Sequence, residues 1–446
     1  MIKVSIITLG CKVNSYESDA MAGLLRSRGF EVVPEGEKAD IFIVNTCSVT
    51  NIADRKSRQM ISRCLKLDSD APVIVTGCWS QREPDAAMAL PGVRAVVGNN
   101  EKSRIADIVA EIVDGEGPVC CVGDIMKATS FDYMSAVSEG RTRAFLKIQD
   151  GCNRFCTYCA IPYARGRIRS RTPESVRLEL EKLNDLGFVE VVLTGIHLTD
   201  YGKDLGGADL TDVLDCLEGL DNIKRLRFGS LEPHGMTDKL ISRIASDCRV
   251  CRQFHLSLQS GSTSVLERMR RGYTADEYAD VVDSIRSAYG READRVAITT
   301  DIIAGFVGET YAEHMETMDF MRRIGFARVH VFPYSRRSGT AADKLPGQLT
   351  NNEKAERAKE LIALGHELEY GFLKSFIGRD EKVLIESKQK DGLYFGFTDS
   401  YARVLSLYGE PNELKDVRIK SITEDKNGEL SLLSDNCRRD TLEQGL

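Results

Sequence analysis

The sequence predicts an α/β protein in three parts: an N-terminal parallel sheet domain, a partial (β/α)6 barrel and a small C-terminal all-β barrel. Short apolar strands alternate with amphipathic helices over residues 1–113 and again over 141–374, a pattern typical of parallel sheets covered by helices. Over residues 375–446 short strands are instead separated by tight turns, as in small antiparallel barrels. A chain of 446 residues is also too long for one core.

Three cysteines mark the carboxyl ends of strands in the first part. Cys11, Cys47 and Cys78 follow the apolar runs predicted as the first three strands. Because the carboxyl ends of parallel strands share one edge of a sheet, we expect the three thiols to converge there. The alternative is three buried small hydrophobic side chains, which is the usual role of a free cysteine.

Residues 114–140 lose periodicity and predict a linker, after which six strand–helix units follow. The strands are predicted at Ala144–Gln149, Glu190–Leu193, Arg225–Gly229, Phe254–Leu258, Ala297–Ile303 and Arg328–Phe332. Six units are fewer than the eight of a closed (β/α)8 barrel. We therefore expect an open-sided barrel with its active site at the strand carboxyl ends, closed by a helix over Asn351–Lys374.

The loop after the first barrel strand carries Cys152, Cys156 and Cys159 in the spacing Cys-x3-Cys-x2-Cys. Thiolate-rich sites hold zinc or iron–sulfur clusters, and a closed site takes four protein ligands. The neighbourhood offers no fourth cysteine, and the nearest histidine, His197, is distant. Three ligands on a four-iron cluster would leave one iron open to a substrate. A zinc knuckle with a distant ligand, or unrelated structural cysteines, are the alternatives.

Composition restricts the location and partners of the protein. Thirteen cysteines in a long chain with ample core favour metal binding in a reducing compartment over a disulfide framework. No secretory signal or membrane-spanning run is present, so a cytoplasmic protein is expected. Because the net charge is −7, nucleic-acid binding would need a local basic patch. Alternating Arg165, Arg167, Arg169 and Arg171 predict such a patch on one face of an extended loop.

The motif Gly151-Cys-Asn-Arg-Phe-Cys-Thr-Tyr-Cys159 resembles the signature of the radical S-adenosylmethionine (SAM) superfamily. With both cysteine sets and the three-part layout, the whole chain resembles the radical-SAM methylthiotransferases. This resemblance implies an N-terminal cluster-binding domain, a radical-SAM barrel and a C-terminal domain of the TRAM type. It implies two 4Fe–4S clusters, with Cys11, Cys47, Cys78, Cys152, Cys156 and Cys159 as metal-binding and catalytic residues.

Two stretches point to one branch of that family. Leu9-Gly-Cys-Lys-Val-Asn-Ser-Tyr-Glu17 and Asn45-Thr-Cys-Ser-Val-Thr-Asn51, the latter followed by Asp54-Arg-Lys-Ser-Arg58, resemble the branch acting on threonylcarbamoyl-adenosine at tRNA position 37, next to the anticodon. The sister branches act on isopentenyl-adenosine or on a ribosomal-protein aspartate. They typically have Gly-Cys-Gln-Met-Asn and Gly-Cys-Pro-Lys-Asn at the first site, and Lys12-Val13 matches neither.

The resemblance also implies a reaction. One electron from the Cys152–Cys159 cluster would cleave SAM to a 5′-deoxyadenosyl radical, and the other cluster would carry the sulfur transferred to carbon 2 of the adenine. SAM contacts are expected at strand ends, from Gly195, Ser230, Glu232, Gln259, Arg271 and Asp301. Expected partners are tRNA, SAM and a low-potential electron donor such as flavodoxin or ferredoxin, for a monomer. The non-enzymatic alternative is an iron–sulfur or zinc protein that binds RNA and leaves SAM intact.

Overall fold

A computed structural model describes residues 1–136, 142–389 and 392–435. Its first domain is a six-stranded parallel sheet in the order β2-β1-β3-β4-β5-β6. The strands are Lys3–Thr8 (β1), Glu31–Val33 (β2), Ile41–Thr46 (β3), Val73–Gly77 (β4), Val93–Val97 (β5) and Val119–Cys121 (β6). The helices are Lys12–Ser27 (α1), Asn51–Leu67 (α2), Cys78–Arg82 (α3), Pro84–Met88 (α4) and Ile105–Val113 (α5).

Each face of this sheet has its own apolar core. Ile61 and Cys64 of α2 pack with Phe42 and Val44 on one face. On the other, α1 and α5 contribute Met21, Leu25, Ile105 and Ile108, which pack with Ile41 and Ile43. Alternate residues of a strand point to opposite faces, so β3 is apolar throughout because both of its faces are covered.

The segment predicted as a linker contains an element that its sequence did not indicate. Strand β6 lies within it and pairs in parallel with β5. The end of that segment, residues 137–140, lies outside the described residues, as does Arg141. The three residues of β6 are too few to show a periodic pattern.

The second domain is the predicted barrel of parallel strands. Arg143–Lys147 (β7) is followed by a short antiparallel pair, Gln149–Asp150 (β8) and Arg169–Ser170 (β9). The remaining strands are Glu190–Thr194 (β10), Arg225–Phe228 (β11), Ser230–Leu231 (β12), Gln253–Leu256 (β13), Ala297–Ala304 (β14) and Arg328–Pro333 (β15). Only Gly229 separates β11 from β12, so the barrel has six strand positions, and the predicted α/β class with parallel sheets is confirmed.

Helices cover the outside of the barrel, and its side remains open. The sheets are ordered β11-β10-β7 and β12-β13-β14-β15, which leaves β7 and β15 as edges. The helices are Ile161–Arg165 (α6), Pro173–Asp185 (α7), Leu210–Asp215 (α8), Asp238–Ser246 (α9), Thr263–Met269 (α10), Ala275–Tyr289 (α11), Tyr311–Ile324 (α12) and Asn351–Lys374 (α13). One continuous core runs through this domain and includes Tyr16 and Ala20 of α1, so the first two domains pack as one body.

The third domain is a closed barrel in the order β16-β17-β18-β20-β19. Its strands are Asp380–Lys388 (β16), Tyr394–Phe397 (β17), Arg403–Ser406 (β18), Leu414–Glu424 (β19) and Leu430–Ser434 (β20). The β18–β20 pairing is parallel, unlike the antiparallel pattern predicted for the whole barrel. Residues 436–446 of the predicted domain lie outside the described residues.

The C-terminal barrel covers the amino-terminal ends of the central strands. Arg225 at the start of β11 donates to the carbonyls of Phe397 (3.0 Å) and Lys382 (2.6 Å). Arg252, just before β13, binds Asp399 at 2.7 Å. This end of the barrel is opposite the cysteine loop. Among the described residues, no helix has the length and apolar character needed to cross a bilayer.

Candidate active site

The three cysteines of the first domain meet at one edge of its sheet. Strands β1, β3 and β4 are neighbours; Cys47 and Cys78 follow β3 and β4 directly, and Cys11 lies three residues after the end of β1. Burial, together with the nearby Cys78 and Cys11, raises the pKa of the Cys47 thiol to about 12. Cys11 keeps surface accessible to solvent, yet the protein around it raises its thiol pKa by desolvation. The structure therefore places the three cysteines at the same edge of the sheet.

Glycines shape two of these corners. Gly10 and Gly77 precede Cys11 and Cys78, and their φ angles are +103° and +100°, which disfavour any side chain. A Cβ atom on Gly10 would lie 2.9 Å from the Cys47 sulfur, and one on Gly77 would lie 2.4 Å from the Thr46 carbonyl oxygen. The two glycines allow the strand ends to approach closely enough for the thiols to converge.

The second thiol set lies in the loop after β8. The Cys152 amide donates to the Gly166 carbonyl at 3.0 Å, and the Cys159 amide donates to the Cys156 carbonyl at 3.0 Å. Thr157 between them anchors the loop to the end of α10, with its hydroxyl donating to the Arg268 carbonyl at 2.9 Å. Burial raises the thiol pKa of Cys152 to about 11 and of Cys159 to about 12, and Cys156 raises both.

One buried arginine accompanies each thiol set. The Arg165 Nε lies 3.3 Å from the Cys78 sulfur, and an Arg271 terminal nitrogen lies 3.4 Å from the Cys156 sulfur. Metal binding requires thiolates, and it therefore displaces protons from thiols of raised pKa. The guanidinium beside one sulfur of each set offsets part of the charge that results. Three sulfur donors with a fixed cation fit an iron–sulfur cluster at either position.

A buried ion network joins the first two domains next to Cys78. Glu17 on α1 accepts from Lys147 of β7 at 2.7 Å and from Arg165 of α6 at 3.0 Å, and it also binds Lys102 of its own domain. Arg165 donates to the Asn14 side-chain carbonyl at 2.6 Å. The side chains of Glu17, Lys102 and Arg165 have no solvent exposure.

Charge in this network does not balance. Asp150 adds a second carboxylate, 2.6 Å from Lys147, and Arg169 adds a further cation, 3.7 Å from Asp150. Burial would raise the pKa of Glu17, but Arg165, Lys102 and Lys147 hold it well below its usual value. The cations outnumber the carboxylates, so a surplus of positive charge lies beside Cys78. No periodic pattern indicates this network, because its members come from four separate segments of the chain.

Three of the residues predicted to bind SAM, Gly195, Glu232 and Arg271, lie near the second thiol set. Glu232 and Arg271 bind each other at 2.5 Å, beside Cys156. The backbone after Gly195 is held by the Gln149 side chain, which accepts from the Ile196 and His197 amides at 2.8 and 2.7 Å. These positions face the second thiol set from the carboxyl ends of the strands.

The other three predicted residues, Ser230, Gln259 and Asp301, lie at the same end of the barrel. Gln259 has a φ of 78°, and its amide donates to the Asp301 carbonyl at 2.9 Å. The Asp301 carboxylate lies 3.4 Å from the His255 Nε2 and groups with His330 as well. Ser230 is exposed.

The contacts of Arg271 do not fit its predicted role, which is to bind the SAM carboxylate. Its donors already reach the Tyr273 hydroxyl, the Cys156 sulfur, the Tyr158 hydroxyl, Glu232 and the Ser257 carbonyl. A guanidinium has five N–H donors, so this arrangement leaves none for SAM.

The predicted arginine patch is wrong for three of its four residues. Arg165, Arg169 and Arg171 are buried, and Arg171 binds Glu179 at 3.2 Å. Arg167 alone of the four is exposed, and it lies over the Phe155 ring. Alternation along the chain does not place these side chains on one face, because α6 and a tight turn interrupt the extended path.

Replacing Glu17 tests the ion network. We expect Glu17→Gln to lower the free energy of unfolding by about 3–5 kcal/mol, because it leaves buried cations uncompensated. Urea unfolding followed by fluorescence of Trp79, the one tryptophan in the chain, reports on this domain. The difference in unfolding free energy between the two proteins should become smaller as the pH falls below the usual carboxyl range. The lowered pKa of Glu17 means that its carboxylate stabilises the folded state in full only above that range.

A matched control for this substitution is Glu181→Gln. Glu181 pairs with Arg177 on the surface of α7 at 2.7 Å, and exposed pairs contribute about 0–1 kcal/mol. Equal small losses for both variants would show that the buried network does not hold the domains together.

Comparison with known proteins follows the same division of the chain. A family model described as "Uncharacterized protein family UPF0004" matches residues 3–98, and the radical SAM superfamily model matches residues 146–321. A solved radical SAM methyltransferase, TsrM from Kitasatospora setae, is similar with a TM-score of 0.53 and 16% identity, over 74% of this chain and 73% of that chain. That likeness concerns the fold alone.

Curated relatives extend over nearly the whole chain. A protein named "Threonylcarbamoyladenosine tRNA methylthiotransferase MtaB" from Bacillus subtilis (strain 168) is 38% identical over 94% of each chain. One of the same name from Thermotoga maritima is 36% identical over 99% of this chain and 98% of its own. A "tRNA-2-methylthio-N(6)-dimethylallyladenosine synthase" from Pelotomaculum thermopropionicum is 34% identical over 89% of each. On this similarity and the two matched domains, the chain belongs to the radical-SAM methylthiotransferase family.

Proposed function

We propose that the protein adds a methylthio group to carbon 2 of N6-threonylcarbamoyladenosine at position 37 of tRNA. The observation that carries the proposal is the pair of three-cysteine sets, one on each of two domains that the buried network around Glu17 joins. Relatives named for this activity share 36–38% identity with the chain, which supports this substrate. Relatives named for dimethylallyladenosine share 34–36% and make that base the alternative.

An iron–sulfur cluster and SAM are the cofactors of this family. We propose two 4Fe–4S clusters, one held by Cys152, Cys156 and Cys159 and the other by Cys11, Cys47 and Cys78. Bound there, they would supply with SAM the radical that removes the hydrogen of carbon 2 and the sulfur that replaces it.

The chain's own residues fix and shield these sites. Arg271 and Arg165 stabilise thiolate charge at the two sets, and Glu17 holds the domains in one arrangement. Gly195, Ser230, Glu232, Gln259 and Asp301 remain the proposed SAM-binding residues at the strand carboxyl ends. For Arg271 we propose a positioning role toward Cys156 and Glu232 in place of direct contact.

Helix α2 offers the basic surface that the arginine loop does not. Arg55, Arg58, Arg63 and Lys66 are exposed and line one groove, because positions three or four apart share a helix face. The helix begins four residues after Cys47, beside the proposed site. We propose that this face contacts tRNA phosphates and positions the anticodon loop.

The remaining partners follow from the chemistry. We propose that the closed C-terminal barrel is a TRAM-like RNA-binding domain. The reaction needs a low-potential electron donor, such as flavodoxin or ferredoxin. We propose a monomer acting in the cytoplasm, where its tRNA substrate is found.

Nucleoside mass spectrometry tests the function. In cells lacking the gene, we expect the 2-methylthio mark to disappear from threonylcarbamoyladenosine and to persist on isopentenyladenosine. The wild-type gene should restore it, whereas Cys47→Ala should not. Loss from isopentenyladenosine alone would establish the alternative substrate, and unchanged nucleosides would reject tRNA methylthiolation.

Replacing Gly10 with alanine tests the first thiol set. We expect purified, reconstituted Gly10→Ala protein to hold about half the iron of the wild type, because the new methyl group displaces the Cys47 sulfur. Gly29→Ala is the matched control: its φ is also positive, at +84°, but no atom lies within 4 Å of the added Cβ. Full iron content in Gly10→Ala would contradict a cluster at this corner.

Removing two arginines from α2 tests the RNA-binding face. We expect Arg58→Ala/Arg63→Ala to weaken tRNA binding about 10-fold or more and to reduce the slope of log K against log salt by about 2. Binding can be measured by fluorescence anisotropy at several salt concentrations. Arg322→Ala/Arg323→Ala on α12 removes two exposed arginines elsewhere and should leave the slope unchanged. Equal effects from both pairs would refute a specific face.

A further inference from the structure

Two histidines and one aspartate meet on three neighbouring strands of the barrel. His255 of β13, Asp301 of β14 and His330 of β15 each offer a metal-ligating atom, and these atoms all lie within 4.8 Å of one another. The strand order β13-β14-β15 makes the three strands neighbours, and the register places Asp301 opposite His330. The cluster contains none of the cysteines of the two thiol sets, so it is a separate group of potential metal ligands.

The spacing within this cluster fits a shared metal ion better than a direct ion pair. The Asp301 carboxylate lies 3.4 Å from the His255 Nε2, whereas charged N–H···O hydrogen bonds are about 2.7–2.9 Å long. Two ligand atoms that each lie about 2.0–2.2 Å from a tetrahedral zinc ion are about 3.4 Å apart. His330 is exposed, so rotation of its side chain can bring a ring nitrogen to the same distance.

A further contact orients the His255 ring. Its Nδ1 lies 3.1 Å from the Thr299 hydroxyl, which also accepts from the Gln253 side-chain amide at 3.2 Å. Metal-binding histidines usually donate their other ring N–H to such an oxygen, which fixes the tautomer and directs the unprotonated nitrogen to the metal. In that tautomer the His255 Nε2 presents a lone pair toward the Asp301 carboxylate, and a cation between the two atoms would satisfy both.

An ion can reach this cluster from solvent. Strand β15 is an edge strand at the open side of the barrel, and His330 is exposed there, whereas His255 and Asp301 are partly buried. Partial burial lowers the effective dielectric constant, which strengthens the attraction between a cation and the Asp301 carboxylate. Two imidazoles and one carboxylate suit zinc or iron(II), because magnesium and calcium prefer sites made of oxygen alone.

We propose that His255, Asp301 and His330 bind one divalent transition-metal ion, of the zinc or iron(II) class, at the open edge of the barrel. Three protein ligands leave at least one coordination position for water or for an oxygen atom of a bound molecule. Neither the tRNA substrate nor the two clusters enter this assignment. Asp301 is also among the proposed SAM-binding residues, and the experiment below separates the two roles.

The test uses full-length protein with its clusters reconstituted, and Zn²⁺ alone is the probe. After anaerobic equilibrium dialysis, we expect the wild type to hold one zinc ion per chain with a Kd below about 1 µM. X-ray absorption at the zinc edge should show nitrogen and oxygen ligands at about 2.0–2.2 Å, and not sulfur at about 2.3 Å. The sulfur distance would identify zinc held by free thiols.

Two substitutions each remove one proposed ligand. We expect His330→Gln and Asp301→Asn to lower zinc affinity by more than the roughly 10- to 100-fold that loss of an outer-shell partner causes. Thr299→Val removes that outer-shell partner of His255, so its loss should fall within about 10- to 100-fold. The iron content of His330→Gln should equal that of the wild type, which checks that the protein is folded.

The matched control is His366→Gln. His366 is a partly exposed histidine of α13 that lies outside the cluster, 3.5 Å from Glu424. We expect this variant to bind zinc as tightly as the wild type. Equal loss of zinc in His366→Gln and His330→Gln would place the ion elsewhere and overturn the proposal.

Several other results would also reject the metal site. Wild-type protein that retains no zinc would leave His255 and Asp301 as a simple ion pair. Zinc bound through sulfur, or an affinity that His330→Gln and Asp301→Asn leave unchanged, would assign the ion to other residues. If Asp301→Asn binds SAM more weakly but zinc as tightly as the wild type, the carboxylate serves SAM alone.

Discussion

The arrangement of this protein depends on one buried carboxylate. Glu17 lies on the first helix of the N-terminal domain, and its partners Lys147 and Arg165 belong to the barrel. None of these side chains has appreciable solvent exposure. Separating the two domains would therefore break these buried ion pairs and leave their charges without partners. Any chemistry that passes between the two thiol sets requires a fixed distance, and this network supplies it.

The network also connects structure to reactivity. Arg165 is shared between Glu17, Asn14 and the sulfur of Cys78. A change in the charge at that sulfur therefore acts directly on the contact between domains. Arg271 has the corresponding position at Cys156, where it also binds Glu232. At both sites, a protein cation contacts a cysteine sulfur and a neighbouring carboxylate at the same time.

Much of the fold was predictable from the sequence, because it depends on local periodicity. Alternation of apolar runs with amphipathic helices predicted both domains of parallel strands, and strand order then predicted that Cys11, Cys47 and Cys78 lie at one edge. The Glu17 network was not predictable in this way, because Lys102, Lys147 and Arg165 are brought together only by packing. The same limitation explains the error over Arg169 and Arg171, whose charge suggested solvent exposure and whose partners Asp150 and Glu179 bury them.

The position of the C-terminal barrel has a consequence for how a nucleic acid can approach. Contacts from Arg225 and Arg252 seat it across the amino-terminal ends of the strands, which leaves the interior accessible from the cysteine side. A ligand is therefore not expected to enter through the amino-terminal end, which the C-terminal barrel covers. In the proposed reaction, a nucleotide would have to rotate out of its stack with its neighbours to present carbon 2, which is least costly in a single-stranded loop. The enzyme is in this sense built for unpaired nucleotides, whatever their sequence context.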